Sequence, residues 1–151
     1  MDLKIVVGSE HAGEGYRGRL AALLSDRGFT VEEVAETEEL RGYPAVAEKT
    51  AKMVVDGDVD LGVLICGTGI GMAMAAGKVP GIRAALCTDS YMAQMAKKHN
   101  NANILVFGSR VVGFENMIHM LKTFLEEEYE GGRHEIRLGA LKELEQKYVK
   151  T

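Results

Sequence analysis

Cys66 closes the aliphatic run LGVLIC (61–66), and Gly67, Gly69 and Gly71 follow at alternate positions, with Thr68 and Ile70 between them, in GTGIGMAMAAGK. A glycine turn leading into a helix brings backbone N–H groups close to an anion. A thiol placed there ionises more readily than a free one. Cys66 therefore has two readings: a small buried hydrophobe completing a strand, or a thiolate acting as a general base beside an anion-binding loop. Nucleotide binding is disfavoured, because G-x-G-x-G is not the dinucleotide G-x-G-x-x-G and no Ser or Thr follows Lys78 as in a P-loop.

Other ionisable residues stand at the ends of apolar runs. Glu10 and His11 lie in SEHAG, His99 and Asn100 in KKHNNAN, and Arg110 in FGSR. Arg133 and Arg137 are four apart and share a face if GGRHEIRLGAL is helical. Three arginines converging on one cleft would suit a phosphate, to which guanidinium offers paired hydrogen bonds. The plainer alternative is a solvated face, or pairing with the carboxylates of EEEYE just upstream. Cys87 has no glycine loop after it and reads as core. His119 lies in an apolar-patterned helix and reads as structural, while His134, beside two arginines, stays open.

These groups need a scaffold. LKIVVG (3–8), TVEEVA (30–35), LGVLIC (61–66), RAALC (83–87) and NILVFG (103–108) read as strands, mostly without the alternation of a one-sided sheet. Between them run helical patterns: Tyr16, Leu20, Leu23 and Leu24; Val46, Ala47, Ala51, Val54 and Val55; the segment 89–99; a helix over 114–129; and a last one carrying Arg137, Leu141, Leu144 and Tyr148. Alternating β and α units predict an α/β fold, a three-layer α/β/α sandwich around a five-stranded parallel sheet with a C-terminal helix. In such a sheet ligands bind outside the carboxyl ends of the strands, so the site is expected in GSEHAG, CGTGIG, TDS and FGSR. Strand order is left open.

Composition narrows the function. The 151 residues suit one domain, 1–151, and 46% apolar with 26% charged residues describe a folded globular chain. A net charge of −4 argues against bulk electrostatic binding of nucleic acid, so any anion must meet a local cluster of cations. No apolar run approaches the roughly eighteen residues of a membrane span, and the expected location is the cytoplasm, where the two cysteines are expected reduced, although their spacing does not exclude a disulfide.

Three stretches, CGTGIGMAMAAGKVPGIRAAL, AKKHNNANILVFGSRVVG and EYEGGRHEIR, together resemble ribose-5-phosphate isomerase B, of the family that also contains galactose-6-phosphate isomerase subunits. The resemblance runs in order along nearly the whole chain. It implies an aldose-ketose isomerase without metal or other cofactor, interconverting ribose 5-phosphate and ribulose 5-phosphate through an enediolate. It further implies a homodimer with shared active sites, or a tetramer of such dimers. Cys66 would move the proton between C1 and C2 with Thr68 near it, His99 would help open the furanose, and the amides of Gly67, Thr68, Gly69, Ile70 and Gly71 would hold the enediolate oxygens. His11, Arg110, Arg133 and Arg137 would take the phosphate, with Tyr43 and Asn100 lining the sugar. Family members usually carry Asp where this chain has Glu10, and DYP where it has Gly42-Tyr43-Pro44. The longer Glu10 is expected to reach the sugar hydroxyls, which leaves the same chemistry on another aldose phosphate, from tetrose to hexose, as the alternative. A phosphosugar-binding module without catalysis is a further one.

Overall fold

The computed structural model describes residues 3–149; residues 1, 2, 150 and 151 of the expected unit lie outside the described part. Five strands, β1 (Lys4–Ser9), β2 (Thr30–Ala35), β3 (Leu61–Cys66), β4 (Ala84–Leu86) and β5 (Ile104–Gly108), alternate with α1 (Glu14–Asp26), α2 (Gly42–Val55), α3 (Ile70–Ala76) and α4 (Ser90–Lys98). Two more helices, α5 (Phe114–Glu126) and α6 (Arg133–Tyr148), complete the chain. All strand pairs are parallel, in the order β2-β1-β3-β5-β4.

The period of two in each central strand sends alternate side chains to two cores. Ile5, Val7, Val63, Ile65, Leu105 and Phe107 meet α1, α4 and α5 on one face. Val6, Leu64, Ile104 and Val106 meet α2 and α3 on the other. The three inner strands are therefore apolar on both faces, whereas β2, with Glu32 and Glu33 exposed, is an edge. The fold is the expected three-layer α/β/α sandwich.

Two expectations shift. The helix expected over 114–129 ends at Glu126, and its apolar stripe (Phe114, Met117, Met120, Leu121, Phe124) is used up against the sheet. The helix left short of burial is α6, in which His134 alone is buried while Ile136, Leu141, Leu144 and Tyr148 face outward. No helix of the described residues is long and apolar enough to cross a membrane.

Candidate active site

Chain order places a crevice at one point of the sheet. From β1 the chain steps to β2 on one side, and β3 lies on the other, so the carboxyl ends of β1 and β3 flank a topological switch point. Glu10 and His11 follow β1, Cys66 to Gly71 follow β3, and Arg110 follows β5. The loops are tied to one another: Ser109 N–H donates to the Cys66 carbonyl at 2.8 Å and Arg110 N–H to the Gly67 carbonyl at 3.0 Å. Ser109 Oγ donates to the Ala12 carbonyl at 2.7 Å.

Within this frame the Cys66 sulfur accepts a hydrogen bond from Gly69 N–H at 3.1 Å. That bond needs the loop to double back, and Gly69 supplies the turn with φ +84°. A β-carbon there would also stand 2.5 Å from Leu86 Cδ1. Thr68 Oγ1 accepts from Ile70 N–H at 3.2 Å, so two of the N–H groups expected to face an oxyanion have partners inside the loop. Arg110 Nη1 lies 3.3 Å from where a β-carbon of Gly67 would be, which sets a cation directly over the loop. The Tyr43 ring covers Gly71 in the same way, within 3.0 Å.

Gly108, at the end of β5, is the tightest point. A β-carbon on it would sit 2.5 Å from the Thr68 carbonyl carbon and oxygen, backbone that has no side chain to swing aside. Gly108→Ala is expected to destabilise the chain by about 1–3 kcal/mol and to disturb the thiol loop. A urea midpoint unchanged from wild type would contradict this.

Glu10 does not reach outward. Its carboxylate folds back on its own turn, accepting Ala12 N–H at 2.8 Å and lying 2.9 Å from His11 Nδ1. The extra methylene lets the carboxylate reach back to the 3-10 turn His11–Gly13. A second carboxylate, Glu36, accepts the N–H of Gly42 at 2.5 Å and of His11 at 3.0 Å, and lies 3.5 Å from His11 Nδ1. The Gly42 N–H, with help from His11, holds the Glu36 carboxyl below its ordinary range. Glu36 therefore links the end of β2 to His11 and to the start of the helix carrying Tyr43. Nothing in AETEELRG marked it out from its acidic neighbours.

The other expected site residues are elsewhere. α4 runs back from the carboxyl end of β4 to the amino end of β5, so His99 and Asn100 lie at the opposite edge of the sheet from Cys66. Arg133 and Arg137 are on α6, as their spacing predicted, but α6 begins beside His99. The His134 ring stacks on His99 with centroids 4.0 Å apart and planes 13° from parallel. Glu130 Oε1 lies 3.4 Å from Nε2 of each. Burial, then His99 and the two arginines, keep the His134 pKa below its ordinary value, so it is neutral at pH 7. Arg110 and the C-terminal arginines do not converge within one chain, because a β-strand of five residues, about 16 Å, stands between the two edges.

Both cysteines are free, and they sit in different cores, Cys66 with α2 and α3, Cys87 with α4 and α5, which disposes of the disulfide. Burial, with Asp89 adding, pushes the Cys87 thiol up to about 11, so it stays protonated and unreactive near neutral pH. Among the described residues two groups have ligand atoms within 4.8 Å of one another, as a metal would need: His99, Glu130 and His134, and Glu10, His11 and Glu36. The first is ringed by Lys98, Arg133 and Arg137, a field that favours an anion over a metal cation.

Known proteins resemble this chain in sequence and fold. Residues 5–141 match the family model described as Ribose/Galactose Isomerase. Ribose-5-phosphate isomerase B of Escherichia coli is 42% identical over 145 residues, covering 95% of this chain and 97% of that protein. D-erythrulose-4-phosphate isomerase of Pectobacterium atrosepticum is 41% identical over 132 residues, 86% of this chain and 87% of that one. The solved structure of Clostridium thermocellum ribose-5-phosphate isomerase B superposes with a TM-score of 0.92 at 46% identity, over 97% of this chain and all of the other. A strand-end thiol in a glycine loop, on a sheet of this topology and with these relatives, means that the chain belongs to the ribose/galactose isomerase family and is a sugar-phosphate isomerase.

Proposed function

We propose that the protein interconverts ribose 5-phosphate and ribulose 5-phosphate, with Cys66 as the base and no metal. The observation that carries the reading is the Cys66 sulfur held by Gly69 N–H at the end of β3, in a loop that the Arg110 guanidinium covers at Gly67. In the open-chain aldose the thiolate takes the proton from C2, giving an enediolate whose charge builds on oxygen. The loop N–H groups other than those of Gly69 and Ile70, which bond within the loop, stabilise it without a metal, because preorganised dipoles need no rearrangement as charge develops. The Thr68 hydroxyl passes the proton between O1 and O2, and Cys66 returns its proton to C1. His11 and Arg110 take the phosphate.

The active site is shared between two copies. Cys66 and His99 stand at opposite edges of one sheet, so a second chain brings His99, Asn100, Arg133 and Arg137 to the thiol. The unburied apolar side of α6, with Ile136, Leu141 and Leu144, supports a homodimer that covers it. A cavity of about 740 Å³ between α6 and the starts of β4 and β5, lined by Ile82, Ala84, Leu138 and Leu141, continues that surface.

The test is turnover of a panel of aldose phosphates, from tetrose to hexose, in the presence of a chelator. Ribose 5-phosphate is expected to have the highest kcat/KM, with no loss on chelation. Highest kcat/KM on a tetrose 4-phosphate would instead support the second reading, the same chemistry on a shorter sugar, which the likeness to the erythrulose-phosphate enzyme favours. Activity abolished by the chelator would reject the metal-free route.

A further inference from the structure

The cluster at the amino edge of the sheet carries more than its arginines. Glu130 Oε1 is shared between the Nε2 atoms of His99 and His134, at 3.4 Å from each, and Lys98 Nζ lies 3.5 Å from the other oxygen. The Glu130 N–H donates to the Lys98 carbonyl at 3.0 Å, rooting the loop before α6 on the end of α4. Behind His99 the buried His134 ring forms a flat wall. Glu130 is the one acidic side chain among the described residues within ion-pair distance of His99.

We propose that Glu130, backed by His134, is the positioning residue for His99 in opening the sugar ring, and that it serves this step and not the proton transfer at carbon. This rests on the ribose reading above. A carboxylate at Nε2 holds the plane of the ring, and in the doubly protonated imidazolium the Nδ1–H is left for the substrate. Opening the furanose breaks the C1–O4 bond. O4 keeps the electron pair and takes a proton from Nδ1 of the His99 imidazolium, which is left neutral, while the O1 hydroxyl gives its proton to solvent as the C1=O bond forms, and solvent reprotonates His99. An imidazole free to rotate would meet O4 less often. Carbon chemistry at Cys66, on the partner edge of the sheet, would be untouched.

Ribulose 5-phosphate separates the two steps, because its O5 carries the phosphate and the ketose cannot close a furanose. Exchange of its C1 hydrogen with D2O therefore needs the base and the oxyanion loop but no ring opening. Glu130→Gln keeps the shape and removes the charge at a half-exposed position. In the full-length protein it is expected to slow conversion of ribose 5-phosphate by about tenfold or more relative to its effect on deuterium incorporation into ribulose 5-phosphate. His134→Ala, with a melt to confirm folding, is expected to give the same split. Equal losses in both assays, or no loss in either, would overturn the proposal. If the wild type neither converts ribose 5-phosphate nor exchanges ribulose 5-phosphate, the substrate reading itself fails, and the inference with it.

Discussion

Cys66→Ala is expected to lower isomerase turnover by about 10² to 10⁴, the usual worth of a proton-transfer base, and to leave the fold in place. The loss should fall on kcat more than on KM, since the sulfur acts where the C–H bond breaks and the phosphate is held by other groups. Folding should survive because the thiol makes one hydrogen bond, to Gly69, and the ties from Ser109 and Arg110 run to backbone carbonyls that alanine keeps. Cys87 provides the internal control. It is the other thiol of the chain, buried on the opposite face of the sheet, and Cys87→Ala should retain turnover. Wild-type activity in Cys66→Ala would remove the thiol from the mechanism, and a loss matched by a collapsed melting transition would reduce it to a packing residue.

The second large effect is a recovery. Cys66→Ala and His99→Asn are each expected to be nearly inactive, yet an equimolar mixture, unfolded and refolded together, should regain about a quarter of wild-type activity. About half of the dimers formed at random are hybrids, and in each hybrid one of the two sites carries both intact groups while the other carries neither. In a parallel sheet all carboxyl ends lie at one edge, so a residue after β3 and a residue before β5 cannot meet within one chain. No recovery, in a preparation shown to contain hybrids, would mean that both groups work from the same chain or that His99 is dispensable.

Glu10 is expected to bear on specificity through His11. Both of its oxygens are taken by Ala12 N–H and His11, and the neighbouring Glu36 holds His11 from the other side. The pair fixes the histidine that would meet the phosphate. A change of sugar length would therefore be felt through the placement of His11 and Tyr43, which Glu36 joins through Gly42, more than through a carboxylate reaching a hydroxyl.

Much of this protein was legible from the chain alone. The aliphatic runs of β1, β3 and β5 and the spacing of Leu20 and Leu24, or of Val46, Ala47 and Ala51, are local periodicities, and they determine a doubly covered parallel sheet without reference to anything distant. The thiol, the glycine loop and the arginine pair on α6 are local too, and with the family resemblance they determined the class of chemistry. Relations between residues far apart in sequence came from the packing of the whole chain. The order β2-β1-β3-β5-β4 sets β1 beside β3 and so brings His11 near the thiol loop. Glu36 reaches His11 across 25 residues and Ser109 reaches Ala12 across 97. Glu130 bridges the Nε2 atoms of two stacked imidazoles that the sequence left unrelated, and Arg110 is parted from Arg133 by the length of a strand. Periodicity records which face of an element is buried, because burial repeats with the local backbone geometry. Which elements become neighbours is settled by the packing of whole faces against one another, and no short stretch of sequence contains that information.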